Sequence, residues 1–546
     1  MLAIDLGSSQ LKLLVMDENA RVRAVVTEGY PTLMPGPGYL VQRPEDWRKA
    51  LERGFARLSE LVELQEIEVV SFSGHMSGLV MVDGEGGVLY PCVMLSDCRS
   101  GEECRILEKC VGDEIRRMSG NPVIDAFSLP KLLWMKRNEG EIYRRSRWWV
   151  SPKDCVRFWF TGKLETEYTD AYNSLCVDRR TVGGCCERGD EAGGRAGWKA
   201  CARTDACEEA DGEACAESDV CGAANGKMCA KAGAGGWSEE MIRQAGLDVE
   251  KFPKMYGPVE IAGKVTDEAA ASFGLKAGTP VVYGGADMAC GAVGNGLFEM
   301  GDTTLTLGTC ATFLSMVEKE QAEAFGKVTF HMHVLPGRVY ALGSHFNGGL
   351  AVNWFSKAFS RDGQVDYELV REMAREAAKV APGCDGVMTV PFLAGSGSPY
   401  FDSRDRQSVI GIDASVGRGK LFRSQLEGVA FNLRQTLEVF GRMQQGNEKP
   451  IVLGGGGVRV SVWPQMIADV FGKPLLLAEN PDASAVGVAL MGGAGVGIFD
   501  DLKKASRMAL RISDQVEPVE ENVAVYEDCY RKFLRVYEVL GELKRL

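Results

Sequence analysis

The chain has 546 residues, of which 45% are hydrophobic and 25% charged. This is ordinary globular composition with room for about three or four domains, which excludes a small disulfide-stapled peptide, a collagen-like fibre and a disordered chain. The formal net charge of −13 repels phosphate backbones and anionic lipid, so we expect no nucleic-acid and no membrane partner. The sequence shows neither an export signal nor a run of about 20 apolar residues, and this pattern predicts a cytoplasmic protein.

The first half of the chain begins with strands. The segment LAIDLGSSQLKLLVMDENARVRAVVTEGY predicts three strands, a helix is expected from about Pro44, IEVVSFSG predicts a further strand, and LVMVDGEGGVLYPCVML predicts a hairpin. His75 in SGHMSG and Asp97 in LSDCRS follow strands, and both could line a pocket for a polyhydroxylated ligand. The alternatives are a structural histidine at position 75 and a solvated ion pair between Asp97 and Arg99.

An unusual stretch interrupts this half. Seven of the 17 cysteines fall within residues 182–236, where a 14-residue repeat runs from Cys201 to Lys231. Its scarcity of large apolar side chains predicts a flexible surface insertion, because too little surface can be buried to offset ordering entropy. A metal-binding or redox-sensing appendage is the alternative, although cysteine pairs with zinc-site spacing do not occur in the repeat. The other ten cysteines are expected to be small buried hydrophobes.

A second half begins near Gly257 and contains similar elements. DTTLTLGTCATFLSMV predicts a hairpin whose turn carries Gly308 and Thr309, which matches the Gly7-Ser8-Ser9 turn of the first hairpin. A third glycine-rich loop, at 454–457, follows an apolar strand and would let a flat ring approach the backbone. Turns of this kind cradle phosphate, although any hairpin needs a glycine turn. The sequence therefore predicts two α/β halves that face each other across a cleft, and a terminal amphipathic helix.

Three charged residues stand beside these turns. Asp5, at the end of the first strand, could hold Mg²⁺ through water, and Lys12 could add a positive charge. Asp287 follows the strand VVYGG at the start of a small-residue helix. It could accept the proton of a substrate hydroxyl that attacks a γ-phosphate, or it could only cap the helix. The glycine-rich loops lack Walker A spacing, and no dinucleotide fingerprint follows a strand.

Eight segments, in their order and spacing, resemble the FGGY carbohydrate kinases over residues 1–181 and 237–546. They are IDLGSSQLK, SFSGHMSGLVMVD, LSDCRS, SLPKLLWMKRN, GGADMACGAVGNG, LTLGTCATF, KLFRSQLEGVAFNLR and GGGGVRVSVWPQMIADVFGKPL. The resemblance implies the actin-like ATPase (ribonuclease H-like) α/β fold, with two lobes and an active site in the cleft between them. We expect an N-terminal lobe over residues 1–256, interrupted by the 182–236 insertion, and a C-terminal lobe over residues 257–546.

The resemblance also implies roles for individual residues. Asp287 would be the general base and contact the substrate, and Asp5 would organise Mg²⁺. The residues that would bind ATP are Gly7, Ser8, Ser9, Lys12, Gly308 and Thr309 around the phosphates, Gly349 and Asn353 beside the nucleotide, and Gly455 and Gly456 against adenosine. The residues that would face the sugar are Met76, Ser77 and Asp97, next to His75.

Four positions depart from the family pattern. Ser77 replaces the sugar-facing histidine, Met288 the asparagine after the base, Val460 a polar residue and Lys420 a histidine. We expect ATP- and Mg²⁺-dependent phosphorylation of a small sugar or polyol, with xylulose as the first candidate and another ketose, a polyol or a sugar acid left open. Two rivals are a catalytically silent sugar sensor and an actin-like ATPase that activates a partner through an iron–sulfur cluster. A homodimer is also left open.

Overall fold

The computed structural model describes residues 1–182, 236–317, 324–444, 449–479 and 482–544. The predicted cysteine repeat lies outside these residues. The described stretches on either side of it meet, because Val177 and Trp237 form an antiparallel bridge and the Asp178 amide donates to the Gly236 carbonyl at 3.3 Å. Val182 and Gly236, the described residues on either side of 183–235, therefore lie next to each other.

The strands are β1 (Leu2–Leu6), β2 (Gln10–Met16), β3 (Val22–Gly29), β4 (Val41–Gln42), β5 (Val70–Gly74), β6 (Val80–Val82), β7 (Cys92–Val93), β8 (Trp148–Val150), β9 (Thr166–Glu167), β10 (Met255–Tyr256), β11 (Ile261–Lys264), β12 (Pro280–Ala286), β13 (Thr303–Leu307), β14 (Ala311–Val317), β15 (Thr329–Met332), β16 (Val339–His345), β17 (Met388–Val390), β18 (Ser408–Ile410), β19 (Ile451–Gly454), β20 (Leu475–Ala478) and β21 (Ile512–Val516).

The helices are α1 (Pro44–Leu58), α2 (Gly101–Ser119), α3 (Ser128–Asn138), α4 (Gly140–Arg145), α5 (Pro152–Thr161), α6 (Tyr168–Tyr172), α7 (Glu239–Gln244), α8 (Asp267–Phe273), α9 (Asp287–Gly294), α10 (Gly349–Phe359), α11 (Tyr367–Ala377), α12 (Arg418–Gln444), α13 (Trp463–Phe471), α14 (Ala483–Gly495), α15 (Leu502–Ala509) and α16 (Glu520–Leu543).

Two mixed sheets share one strand plan. The first has the order β11-β12-β5-β1-β2-β3 and the second β15-β16-β14-β13-β19-β20-β21. In the first sheet, the antiparallel strands β1–β3 are followed by the parallel strands β5 and β12, and the antiparallel strand β11 ends the sheet. In the second sheet, the antiparallel strands β13, β14 and β16 are followed in the same way by the parallel strands β19 and β20, and the antiparallel strand β21 ends the sheet. This duplication confirms the predicted two-lobed, actin-like α/β fold.

Helices α9 and α14 pack closely between the two sheets. A Cβ atom at Gly487 of α14 would collide with the Cys290 carbonyl of α9, so only glycine allows this approach. Ser71 of β5 donates from its hydroxyl to the Val488 carbonyl at 2.6 Å. A core of small and apolar side chains from both helices and both sheets surrounds this contact. The two lobes therefore share one buried layer.

Two sequence predictions differ from the structure in detail. The hairpin expected at 79–95 does not form a continuous two-stranded ladder, and its two arms are connected only by isolated β-bridges. Its strands pair elsewhere instead, β6 with β8 and β7 with β4. The expected lobe boundary at 256/257 precedes β11 and β12, and both of these strands hydrogen-bond into the first sheet. We therefore propose that the N-terminal lobe extends to Ala286.

Candidate active site

Asp287 lies where β12 ends and α9 begins. The last residue of β12, Ala286, stands opposite Gly74 of β5, which places Asp287 at the carboxyl end of the parallel strands. Its Oδ1 accepts a hydrogen bond from the Met288 amide at 2.8 Å, and the side chain is half-buried. This position gives a carboxylate that is fixed by the backbone and still reachable from the cleft.

The electrostatic environment favours the protonated form of Asp287. Burial, then the charges of Asp5 and Asp170, raise the pKa of Asp287 to about 8, against the amides of Met288 and Met76, which act to lower it. Only the ionised form of Asp287 can accept a proton from an attacking hydroxyl, and this form increases as the pH rises toward about 8.

Asp5 fits the donor expected for a divalent cation. It stands near the end of β1, opposite Lys12 of β2 and Ser73 of β5, and is 7% exposed. Its buried Oδ1 has no hydrogen-bond partner within the part of the chain that the structure describes. Burial raises the pKa of Asp5, whereas Ser73 and Lys12 act to lower it. A lone carboxylate oxygen of this kind suits Mg²⁺, which protein sites hold through one or two carboxylates, water and substrate phosphates.

Lys12 connects the two halves of the site. Its ammonium group forms an ion pair with Asp482, the residue that precedes α14, and both side chains are about one-fifth exposed. The predicted phosphate-binding lysine is thus engaged by a carboxylate and lies between the first hairpin and the start of the central helix α14.

The turn of the first hairpin is held from behind through its carbonyl groups. The Tyr30 hydroxyl donates to the Gly7 carbonyl, the Gln42 amide donates to the Ser8 carbonyl at 2.7 Å, and the Tyr30 amide donates to the Ser9 carbonyl at 3.3 Å. Ser8 and Ser9 are themselves exposed. The Gly7 N–H donates to the Gln10 carbonyl at 3.0 Å, so the donors that this turn can offer to an anion are the N–H groups of Ser8 and Ser9.

The second lobe assembles its predicted nucleotide residues at the end of β13. The Gly349 amide donates to the Gly308 carbonyl at 2.7 Å and the Leu350 amide to the Thr309 carbonyl at 2.9 Å, which seats the start of α10 on the β13–β14 turn. A Cβ atom at Gly349 would stand 2.7 Å from the Gly308 carbonyl oxygen. The half-buried Asn353 follows one helical turn later.

The third glycine loop reaches the same point. Gly455 has φ +90°, and a Cβ atom there would lie 2.7 Å from the Leu307 carbonyl oxygen at the end of β13. At Gly456, by contrast, a Cβ atom would meet no described atom within 4 Å. At Gly455 the loop packs closely against the backbone of β13, and at Gly456 it offers an open surface of the kind that a flat ring can contact. Val460, which stands where the family pattern has a polar residue, is buried.

The residues predicted to face the sugar follow β5. His75, Met76 and Ser77 are all buried, and the Ser77 hydroxyl donates to the Asn173 carbonyl at 3.5 Å. Neither ring nitrogen of His75 has a partner among the described residues. Burial lowers the pKa of His75 to about 4, so the ring is neutral at pH 7. The backbone amide of Met76, in the same loop, acts to lower the pKa of Asp287.

Asp97 is occupied by protein groups. Its Oδ2 accepts from the Leu40 amide at 2.6 Å and from Arg99 Nη2 at 2.7 Å, and its Oδ1 accepts from Arg99 Nε at 2.8 Å. Arg99 lies over the Tyr39 ring at 4.0 Å. The side chains of Asp97 and Arg99 are both fully buried, so the ion pair considered in the sequence forms, but inside the protein instead of at its surface.

Sequence reasoning missed a buried charge network beside the base. Lys153 of α5 contacts Asp154, Glu167 and Asp170 at 2.8, 3.2 and 3.1 Å. Burial raises the pKa of Asp170, which the charge of Lys153 opposes. The only local signal is the acidic pair in TEYTD, because the link to Asp287 spans more than a hundred residues.

The same segment also positions the backbone of the base. The Ala286 amide donates to the Thr169 hydroxyl at 3.0 Å, and that hydroxyl donates to Glu167 at 2.9 Å. Glu167 in turn caps α6 by accepting from the amides of Thr169 and Asp170. The network therefore fixes both the main chain before Asp287 and the charge that acts on it.

Comparison with known proteins agrees with this geometry. Residues 1–182 and 217–294 match the N-terminal domain of the FGGY family of carbohydrate kinases, and residues 303–496 match its C-terminal domain. The xylulose kinase of Bacillus subtilis (strain 168) is 28% identical over 538 residues, covering 98% of this chain and 96% of that protein. The gluconokinase of the same organism is 24% identical over 550 residues, with 99% and 96% coverage.

A solved structure, described as a xyloylose kinase from Brucella ovis, is similar with a TM-score of 0.80 and 25% identity over 99% of both chains. None of the described helices combines the length and apolar character needed to cross a bilayer. The chain belongs to the FGGY family of carbohydrate kinases. It is a sugar kinase whose lobes, glycine-rich turns and acidic residue at the start of α9 occur in the order that its sequence predicted.

Proposed function

We propose that this chain transfers the γ-phosphoryl group of ATP to a hydroxyl of a small uncharged sugar in the cytoplasm, with xylulose as the first candidate. Asp287 accepts the hydroxyl proton while that oxygen forms a bond to the γ-phosphorus, the bond to the β-phosphate oxygen breaks, and ADP leaves. The observation that carries the proposal is the half-buried carboxylate of Asp287 at the carboxyl end of the parallel strands, where burial and the charges of Asp5 and Asp170 raise its pKa.

The other site residues receive roles from their surroundings. The turn around Ser8 and Ser9 and the turn at Gly308 offer backbone donors to phosphate oxygens. Asp5 would hold Mg²⁺, which when bound neutralises charge on the phosphates. Gly349, Asn353, Gly455 and Gly456 would receive the nucleoside. Packing between the lobes would exclude water and suppress ATP hydrolysis without sugar.

The charges around the site favour an uncharged sugar over a sugar acid. Asp5 and Asp170 both raise the pKa of Asp287, so three carboxyl groups lie close together in the site. Four cations in the described part of the N-terminal lobe have protein partners: Lys12 pairs with Asp482, Arg99 with Asp97 and Lys153 with three carboxylates, and Lys131 donates to two backbone carbonyls. A substrate carboxylate would thus approach like charges, and its countercharge would have to come from breaking one of these pairs.

A substrate screen tests the proposal. Purified protein with ATP and Mg²⁺ is given xylulose, ribulose, xylitol, glycerol or gluconate, ADP release is followed, and the product is identified by mass spectrometry and ³¹P NMR. We expect ADP release that depends on an uncharged sugar, with a sugar phosphate as product. Sugar binding by calorimetry without ADP release would instead identify a sensor, and a preference for gluconate would contradict the charge argument.

A further inference from the structure

The side-chain amide of Asn173 is fixed between the two lobes. Asn173 follows α6 and is fully buried. Its Oδ1 lies 2.7 Å from Nδ1 of His331, and Nε2 of His331 lies 2.8 Å from the Thr329 hydroxyl. Burial lowers the pKa of His331 to about 3, so the ring is neutral. Because Oδ1 of Asn173 can only accept, Nδ1–H of the neutral ring donates to it and Nε2 accepts from the Thr329 hydroxyl.

This arrangement leaves the Nδ2 group of Asn173 without a hydrogen-bond partner in the described stretches of the chain. A buried amide NH₂ can donate twice, and native proteins rarely leave both donors unpaired. Asn121 provides the contrast, because it also joins the first lobe to β15. Its Nδ2 donates to the Phe330 carbonyl at 2.8 Å and its Oδ1 accepts from the Phe330 amide at 2.8 Å. Both polar atoms of the Asn121 amide thus have a protein partner, whereas Nδ2 of Asn173 has none among the described residues and can donate to another molecule.

The location of Asn173 is that of the proposed sugar site. Its carbonyl accepts the Ser77 hydroxyl, and Ser77 belongs to the loop whose Met76 amide acts on Asp287. Asp170, three residues before Asn173, acts on the same carboxylate. The unpartnered Nδ2 of Asn173 therefore belongs to the group of segments that surround Asp287.

We propose that Asn173 is a specificity-determining residue whose Nδ2 donates a hydrogen bond to a hydroxyl or carbonyl oxygen of the sugar, in the orientation that His331 imposes. The inference rests on the proposed function and adds the identity of a sugar contact. It also implies that the sugar is sensed by both lobes, because Asn173 comes from the first lobe and His331 from β15 of the second sheet.

The test compares Asn173→Ala with Asn121→Ala, which removes an equally buried link to β15 whose Nδ2 already donates to a protein carbonyl. For Asn173→Ala we expect the KM for the sugar to rise about 10- to 100-fold, while the KM for ATP changes less than twofold. For Asn121→Ala the sugar KM should change less than twofold. Sugar analogues that each lack one hydroxyl, or that carry an alcohol for the ketone, identify the contact. For the analogue that lacks the contacted group, the KM with the unmodified protein should exceed the KM of the parent sugar by the same factor, about 10- to 100-fold. That analogue should show the same KM with Asn173→Ala as with the unmodified protein.

A second variant covers the case in which Asn173→Ala does not fold. His331→Phe keeps a ring between Phe127 and Tyr340, against which His331 stacks, but removes the donor that orients the amide. The sugar KM should then rise about three- to tenfold. The inference would be overturned if Asn173→Ala and Asn121→Ala changed the sugar KM to the same extent. It would also be overturned if Asn173→Ala raised the KM of every sugar analogue by the same factor. Calorimetric titration with sugar gives the same comparison without turnover, so absence of ADP release with every sugar would count against the proposed function alone.

Discussion

Asp5 raises the pKa of Asp287, second only to burial among the causes of its shift to about 8. The two carboxylates come from the end of β1 and the start of α9. A cation at Asp5 would relieve the repulsion and favour the ionised base. The proposed metal residue and the proposed base are therefore electrostatically linked.

The pH dependence of kcat/KM reports this linkage. Asp287 must be deprotonated to accept a proton, so kcat/KM should rise with pH, and a cation at Asp5 should hold this rising limb below the pKa of about 8 that Asp287 has without the cation. Asp170→Asn removes a negative charge that raises the pKa of Asp287, so the rising limb should move to lower pH by about 0.5–1 unit. Asp113→Asn, at a fully exposed carboxylate, is the control. An unchanged or upward-shifted limb for Asp170→Asn would contradict the assigned coupling.

Asp5→Asn tests the cation site. The amide keeps the size of the side chain but loses the charge that a divalent cation requires, so half-maximal activity should need at least about tenfold more Mg²⁺. Binding of sugar alone, measured by calorimetry, should persist. A magnesium dependence identical to that of the unmodified protein would show that the cation is held elsewhere.

Gly349→Ala tests the contact between α10 and the Gly308 turn. The new Cβ atom would stand 2.7 Å from the Gly308 carbonyl oxygen, which displaces the turn, so the KM for ATP should rise about tenfold or more with a smaller change for the sugar. The matched control is Gly441→Ala in the exposed part of α12, where a Cβ atom has nothing described within 4 Å. That change should leave kinetics unaltered and stabilise the helix slightly. Equal kinetics for both variants would contradict the assigned nucleotide role.

The elements that the sequence predicted well are those with a local signal. The hairpin with Gly7 and the strand–turn–helix around Asp287 follow from apolar runs and glycine turns, and both are present. The duplicated plan could be inferred because each half repeats a hairpin with a small-residue turn. These features depend on neighbouring residues, so reading along the chain is enough.

What the sequence could not show depends on distant pairs. Lys12 meets Asp482 from 470 positions away, so its engagement by a carboxylate has no local sign. Asp170 raises the pKa of Asp287 because α6 packs against β12. The side-chain amide of Asn173 is held by a hydrogen bond with His331, which lies 158 positions away. At Asp97 the sequence did suggest the pairing with Arg99, but burial of that pair depends on the ring of Tyr39.

Deletion of residues 183–235 tests whether the cysteine-rich segment serves the reaction. Val177 and Trp237 already pair, so a short glycine–serine link can join 182 to 236 with little strain. We expect kcat and both KM values to change less than about twofold, because the described residues on either side of the segment, Val182 and Gly236, already lie together. Loss of turnover by a deletion variant that still folds and binds ATP would assign the segment a role in catalysis.

The most direct measurement of the central claim is turnover by Asp287→Asn with ATP binding measured on the same sample. The amide keeps the shape of the side chain but cannot take the hydroxyl proton, so sugar-dependent ADP release should fall by about 10²–10⁴-fold. The Kd for ATP should stay within a few fold, since the nucleotide residues lie on other elements. Sugar-dependent ADP release at more than a tenth of the unmodified rate would show that another group accepts the proton, and would contradict the account.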